Sequence, residues 1–231
     1  MSAAGIWAVV PVKAFSRAKS RLAAAFPADL RQTLVRAMLE DVLTALAGVE
    51  GLAGYAVATG EPEAGPIAAR HGARVLVDAD HGLNETLTVA ARTLKAEGAR
   101  GMLVLPGDIP AVTAAEIARL LAGYGEGRAV SLVAAHDGQG TNALLASPPD
   151  AIDFAFGSDS FTAHRAAAER LGIAPNIRAF PGMAVDLDTP ADIARLARRP
   201  MGSRTWRLLE DEGLLRPACV RARRSAAPMP G

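Results

Sequence analysis

Residues 6–13 read Ile6-Trp7-Ala8-Val9-Val10-Pro11-Val12-Lys13, a short apolar run that stops at a lysine. The stretch 7–12 has the length and the β-branched content of a strand. It lacks the polar/apolar alternation of a half-exposed one, so both of its faces are expected to be covered. Residues 55–59, 74–77, 102–105 and 130–135 read the same way, and helical patterns fill the intervals. The clearest helix spans 28–47, where Leu30, Leu34, Met38 and Val42 recur every four residues and Val35, Leu39, Leu43 and Leu46 fill the adjacent stripe. Strand, helix and strand in succession imply parallel pairing. The expectation is an α/β, Rossmann-like fold: a mostly parallel sheet with helices on both faces, binding its ligand beyond the carboxyl ends of the strands.

Composition narrows the function classes. The 231 residues suit one sizeable core, and no apolar run nears the ~20 residues that cross a bilayer. The first apolar run precedes its basic residues, the reverse of a secretion signal, so a soluble protein of the cytoplasm is expected. A net charge of +1 gives no reason to expect a nucleic-acid partner, and no membrane partner is expected. The single cysteine, Cys219, excludes an internal disulfide and any cysteine-cluster metal site. Residues 201–231 hold six arginines against three acids, with Arg221, Arg223 and Arg224 close together. They are set apart as a basic, partly loosely ordered tail behind a domain of residues 1–200, with one short helical candidate at 206–215.

Chemistry is sought in the loops after the strands. Neither G-x-G-x-x-G nor G-x-x-x-x-G-K-[ST] occurs, which removes the usual signatures of a dinucleotide oxidoreductase or a P-loop NTPase. No G-x-S-x-G elbow appears, and no histidine pair has zinc-ligand spacing; His164 reads as an ordinary helical residue. The loop after the first strand carries Lys13, Arg17, Lys19 and Arg21, with two of the chain's three lysines, and reads as a cationic phosphate site. The run 103–110 ends in a turn presenting Asp108. Thr113 and Glu116 already supply a capping box for the next helix, which frees Asp108 for a ligand role. In Asp186-Leu187-Asp188-Thr189-Pro190, strand alternation would point both aspartates to one face, with Thr189 and Pro190 opening the following helix. Asp108, Asp186 and Asp188 are therefore the candidate ligands for a divalent cation such as Mg²⁺. Residues 137–142 and 156–160 offer free amides and hydroxyls, and Gly157 with Ser160 would make an anion site at a helix N-terminus. The segment opened by Gly82 and Asn84 is a weaker candidate of the same kind.

In combination, V-P-V-K with A-K-S-R-L, then G-L-N-E, L-P-G-D-I-P, G-T-N-A-L, F-G-S-D-S-F-x-x-H and D-L-D-T-P resemble the guanylyltransferases of coenzyme F420 biosynthesis. The resemblance covers roughly residues 6–195. It implies the nucleotide-diphospho-sugar transferase form of the Rossmann-like fold, and a transfer of GMP from GTP to a small phosphorylated acid with release of pyrophosphate. It implies that Asp108, Asp186 and Asp188 hold Mg²⁺, and that Lys13, Arg17, Lys19 and Arg21, with Gly82 and Asn84, serve the nucleotide. Lys13, Lys19 and Asp108 would be catalytic, and Thr141, Gly157 and Ser160 would take the acceptor. Phosphoenolpyruvate, 3-phospho-D-glycerate and 2-phospho-L-lactate are the acceptors of this class, and the motifs do not choose among them. A homo-oligomer is left open.

Overall fold

The computed structural model describes residues 5–17, 19–23, 26–77, 82–122, 124, 127–198 and 202–215. Strand β1 (Ile6–Val12) has β2 (Gly54–Thr59) on one side and β4 (Gly101–Val104) on the other, both parallel to it. Ile6, Ala8, Val9 and Val10 are fully buried, which accounts for a run that does not alternate. The sheet continues through β3 (Arg74–Val77) at one end and through β6 (Thr141–Ser147), β5 (Ala129–Ala134) and β7 (Asn176–Arg178) at the other, in the order β3-β2-β1-β4-β6-β5-β7. Strand β6 is antiparallel to both β4 and β5, while β7 is parallel to β5. The sheet is thus mostly parallel, with β6 reversed.

Helices cover both faces. On one side Ile6, Ala8 and Val10 pack with Leu39, Val42 and Leu43 of α1 (Ala28–Ala47), with Ile67 of α2 (Ala64–Arg70) and with Ile117 and Leu120 of α4 (Ala114–Leu121). On the other, Val9, Met102 and Val104 pack with Leu87, Ala91 and Leu94 of α3 (Leu83–Ala96) and with Ala167 and Ala168 of α5 (Ser160–Arg170). A third apolar cluster sits off the sheet. It joins Leu22, Leu34, Met38 and Leu187 to Ile193 and Leu196 of α6 (Pro190–Leu196), and to Leu209 of α7 (Arg204–Asp211) and Leu214. No helix among the described residues is long and apolar enough to cross a membrane.

Strands β1 to β5 and helix α1 lie where the sequence patterns place them, within one residue at each end. Two strands were not foreseen. Strand β6 opens with Thr141-Asn142, which reads as the end of a turn, and β7 is a three-residue edge whose Ile177 is exposed. Residues 202–215 of the segment set apart as a tail are described, and they pack on the body through α7. The remainder, with Cys219 and Arg221 to Arg224, lies outside the described residues.

Helix α7 is fastened by one carboxylate. Asp41 of α1, 8% exposed, accepts the Arg204 amide at Oδ1 (2.8 Å) and the Thr205 amide at Oδ2 (2.9 Å), filling two N-terminal donors that the helix leaves open. Asp41→Ala is expected to lower stability in urea unfolding by about 2 kcal/mol, because it leaves the buried Thr205 amide and the part-buried Arg204 amide without their acceptor. Hydrogen exchange should localise the loosening to residues 204–211; protection unchanged there would show that the cap does not hold the helix.

Candidate active site

A reversed strand presents its first residues where its antiparallel neighbours present their last. Thr141 and Asn142, at the start of β6, therefore reach the same sheet edge as the loops that follow β1 and β4. This edge collects the candidate residues.

Asp108 follows β4 in the turn Pro106-Gly107-Asp108 and is half-buried. Its carbonyl accepts the Leu187 amide at 3.0 Å, which fastens the D-L-D segment beside it. Lys19 lies in the loop after β1 in a left-handed conformation (φ 55°), a cost of about 1 kcal/mol for a non-glycine residue. Its ammonium is 2.7 Å from Asp108 Oδ2 and 2.5 Å from Asp188 Oδ1, with the side chain 6% exposed. Burial opposes the charge on Lys19, but the two carboxylates outweigh it and hold the group above the usual lysine range. Arg21 stands 3.8 Å from Asp188 with its side chain 75% exposed, a solvated contact of small worth.

Asp186 and Asp188 are not on a strand. Residues 185–188 form an irregular segment in which Leu187 is buried and both aspartates are half-exposed, so the expected sidedness is present without the expected element. Tertiary bonds replace a ladder. Besides the Leu187 amide, the Gly182 amide donates to Glu116 Oε1 (2.7 Å), Ala184 O accepts from the His136 amide (2.7 Å), and Met183 O accepts from Asn142 Nδ2 (2.9 Å). A Cβ at Gly182 would overlap the Glu116 carboxylate and the Ala111 carbonyl, so this approach needs glycine. Asn142 Nδ2 also lies 3.2 Å from Asp186 Oδ1. Burial pushes the Asp186 carboxyl up, the Asn142 bond opposes this, and the Asp108 and Asp188 charges raise it further. At the far end Asp192 Oδ2 accepts from the Asp188 amide and from the Thr189 amide and hydroxyl, the capping role expected at this turn. Among the described residues, no three acidic, histidine or cysteine side chains are spaced to hold a metal ion as they stand. Lys19 stands between two of the three acids.

The second half of the site is built on α5. Ser160 Oγ accepts the Thr141 amide (3.0 Å), and Thr141 Oγ1 lies 3.0 Å from His164 Nδ1. The Ala155 amide donates to His164 Nε2 at 2.9 Å, and the Phe156 ring stands edge-on to the imidazole at 4.6 Å. Asn84 holds the same loop from α3: Nδ2 donates to Phe156 O (3.1 Å) and Oδ1 accepts the Phe156 amide (2.7 Å). Gly157 follows at φ 145°, a conformation that favours glycine.

The structure thus gathers Lys19, Asp108, Asp186 and Asp188 in one group, and Thr141, Ser160 and the Gly157 loop in another. Lys13 is exposed at the end of β1, and the Arg17 side chain lies outside the described residues. Asn84, read as serving the nucleotide, has both ends of its carboxamide on Phe156, and the Gly82 carbonyl accepts the Thr86 amide and hydroxyl. Sequence reading gave Asn142 no role beyond its place in residues 137–142, and read His164 as an ordinary helical residue. Their signals were a polar residue opening a buried strand, and the spacing of four that puts Ser160 and His164 on one helix face.

Comparison with known proteins gives the chain a family and a fold. The family model described as "Guanylyl transferase CofC like" matches residues 6–214. A phosphoenolpyruvate guanylyltransferase of Sphaerobacter thermophilus is 41% identical over 197 residues, covering 85% of this chain and 95% of its own. One of Conexibacter woesei is 37% identical over 211 residues, covering 90% and 94%. In fold, a structure from Desulfovibrio desulfuricans G20 assigned as a nucleotide-diphospho-sugar transferase superposes with a TM-score of 0.74 at 18% identity, covering 93% of this chain and 97% of its own. A cytidylyltransferase of Leptospira borgpetersenii gives 0.60 at 10%, covering 99% and 100%.

Burial pushes the His164 imidazole down to about 4 from an ordinary value near 6.5. A depressed folded-state pKa gives stability that is complete above the unfolded value and is lost as pH falls toward the folded one. Chemical denaturation should therefore show a decline of about 3 kcal/mol between pH 6.5 and 4 assignable to this residue. The decline should be absent from His164→Gln; equal slopes in both proteins would place the titration elsewhere.

Proposed function

This chain belongs to the CofC-like guanylyl transferase family, and from that premise we propose that it joins the GMP of GTP to phosphoenolpyruvate in coenzyme F420 biosynthesis, in the cytoplasm. The chain is a guanylyltransferase; the acceptor comes from the names of its relatives. The observation that carries the reading is the meeting of Lys19, Asp108, Asp186 and Asp188 at the sheet edge where the Thr141, Ser160 and Gly157 group also lies.

In the reaction an acceptor phosphate oxygen bonds to the α-phosphorus of GTP, and the bond from that phosphorus to the pyrophosphate oxygen breaks. A phosphomonoester with a second pKa of about 6 is largely dianionic at neutral pH, so no protein base is required. What the protein supplies is orientation and charge neutralisation. Lys13, Lys19 and Arg21 would bring cations to the triphosphate. Asp108, Asp186 and Asp188 offer hard oxygen donors, and Asp186, raised first by burial and then by its two acidic neighbours, is where a cation would relieve charge. These three residues would hold Mg²⁺, which when bound would neutralise charge on the phosphoryl oxygens. Lys19 is the counter-ion of two of them, so carboxylates and triphosphate compete for one ammonium. Thr141, Ser160 and the Gly157 loop face the acceptor.

Pyrophosphate release, followed with GTP, Mg²⁺ and each of the three phospho-acids, tests this directly. Turnover is expected with phosphoenolpyruvate, is abolished by a chelator, and falls by about 100-fold or more in Asp108→Asn and Asp188→Asn. Silence with all three acceptors, or turnover with a sugar phosphate instead, would overturn the acceptor class. An Asp108→Asn enzyme at full rate would remove the metal assignment.

A further inference from the structure

His164 is fully buried and has no part in the chemistry above, yet its ring links three elements of the acceptor half. Nε2 receives the Ala155 amide, and an amide can only donate, so Nε2 carries no proton. The opposite tautomer would set two N–H groups against each other at 2.9 Å. A neutral ring with a bare Nε2 bears its proton on Nδ1, 3.0 Å from Thr141 Oγ1. The Thr141 hydroxyl is thereby the acceptor of the imidazole proton and keeps its own proton to give. Ser160 is in the same position, since its oxygen takes the Thr141 amide. Among the described residues neither hydroxyl proton has an acceptor. Thr141, at the start of β6, and Ser160, at the first turn of the eleven-residue α5, are 4% and 2% exposed, and a helix N-terminus favours an anion.

Resting on the guanylyltransferase reading, we propose that His164 is a positioning residue: its Nδ1-protonated ring turns the Thr141 hydroxyl into a hydrogen-bond donor, beside that of Ser160, for the phosphorylated acid. It sets the affinity for the acceptor and leaves GTP untouched. The imidazole does not reach the acceptor, and no proton is transferred from it. The clamp of Asn84 on Phe156 completes the device by fixing the loop that supplies the Ala155 amide.

The first measurement is spectroscopic. The full chain, labelled with ¹⁵N in its histidines, should show at neutral pH one ring with a protonated Nδ1 and a bare Nε2, missing from the spectrum of His164→Gln. The second is kinetic, with phosphoenolpyruvate as the acceptor. Thr141→Val should raise the KM for phosphoenolpyruvate by about 10-fold or more, while the KM for GTP stays within about 2-fold. Thr141→Ser should recover most of the loss. His164→Leu should behave like Thr141→Val, whereas His164→Asn, whose amide can donate from near the Nδ1 position, should lie close to the parent. An Nε2-protonated ring in an active parent would overturn the role of His164 alone. So would variants that lose folding stability but keep the parent KM for phosphoenolpyruvate. A correctly folded parent that makes no pyrophosphate with phosphoenolpyruvate would overturn the functional reading and the acceptor role with it.

Discussion

The ammonium of Lys19, held between Asp108 and Asp188 at 2.7 and 2.5 Å, answers an electrostatic problem that the fold creates. Three carboxylates drawn to one sheet edge repel one another, and the raised Asp186 carboxyl records that repulsion on top of its burial. A cation among them relieves that repulsion. Lysine suits this better than arginine, because a compact point charge can be shared by two carboxylates and given up again to another anion. The left-handed backbone at Lys19 shows that the placement is imposed by its surroundings, since local preference would not choose it.

The two halves of the site are held by different means. The acidic half rests on an irregular segment fixed by tertiary bonds to Glu116, Asn142, His136 and the Asp108 carbonyl. The half proposed to take the acceptor rests on regular elements, the start of β6 and the first turn of α5, tied through side chains. Asn142 belongs to both, because it follows Thr141 on β6 while its carboxamide reaches Met183 and Asp186. A displacement of β6 would be felt in each half.

The parallel core was legible because a strand buried on both faces has no other way to read than as an unbroken apolar run, and β1 is such a strand. The caps at Thr113 and Thr189 were legible because their chemistry is local. Strand β6 was hidden, since it begins with the polar pair Thr141-Asn142 and its reversal leaves no mark in composition. The basic loop was visible as charge. That Lys19 would turn inward while Arg21 stayed in solvent depends on Leu22 docking into the third cluster, a contact between distant parts of the chain. Asn84 was read as serving the nucleotide; its grip on Phe156, 72 residues further along the chain, is a contact that no local pattern signals.

That third cluster has a mechanical meaning. Leu22 lies three residues after Lys19, and Leu187 lies between the two aspartates, so the basic loop and the acidic segment are seated in one piece of oil. Leu209 and Leu214, at the far end of the chain, seal the same piece. Helix α7 therefore acts as a keystone: through Leu209 it presses on the cluster that seats Leu22 and Leu187, and so braces the loop and the segment that carry the ammonium and the carboxylates. Sequence drift in α7 would then tune the active edge without changing a single charged group in it.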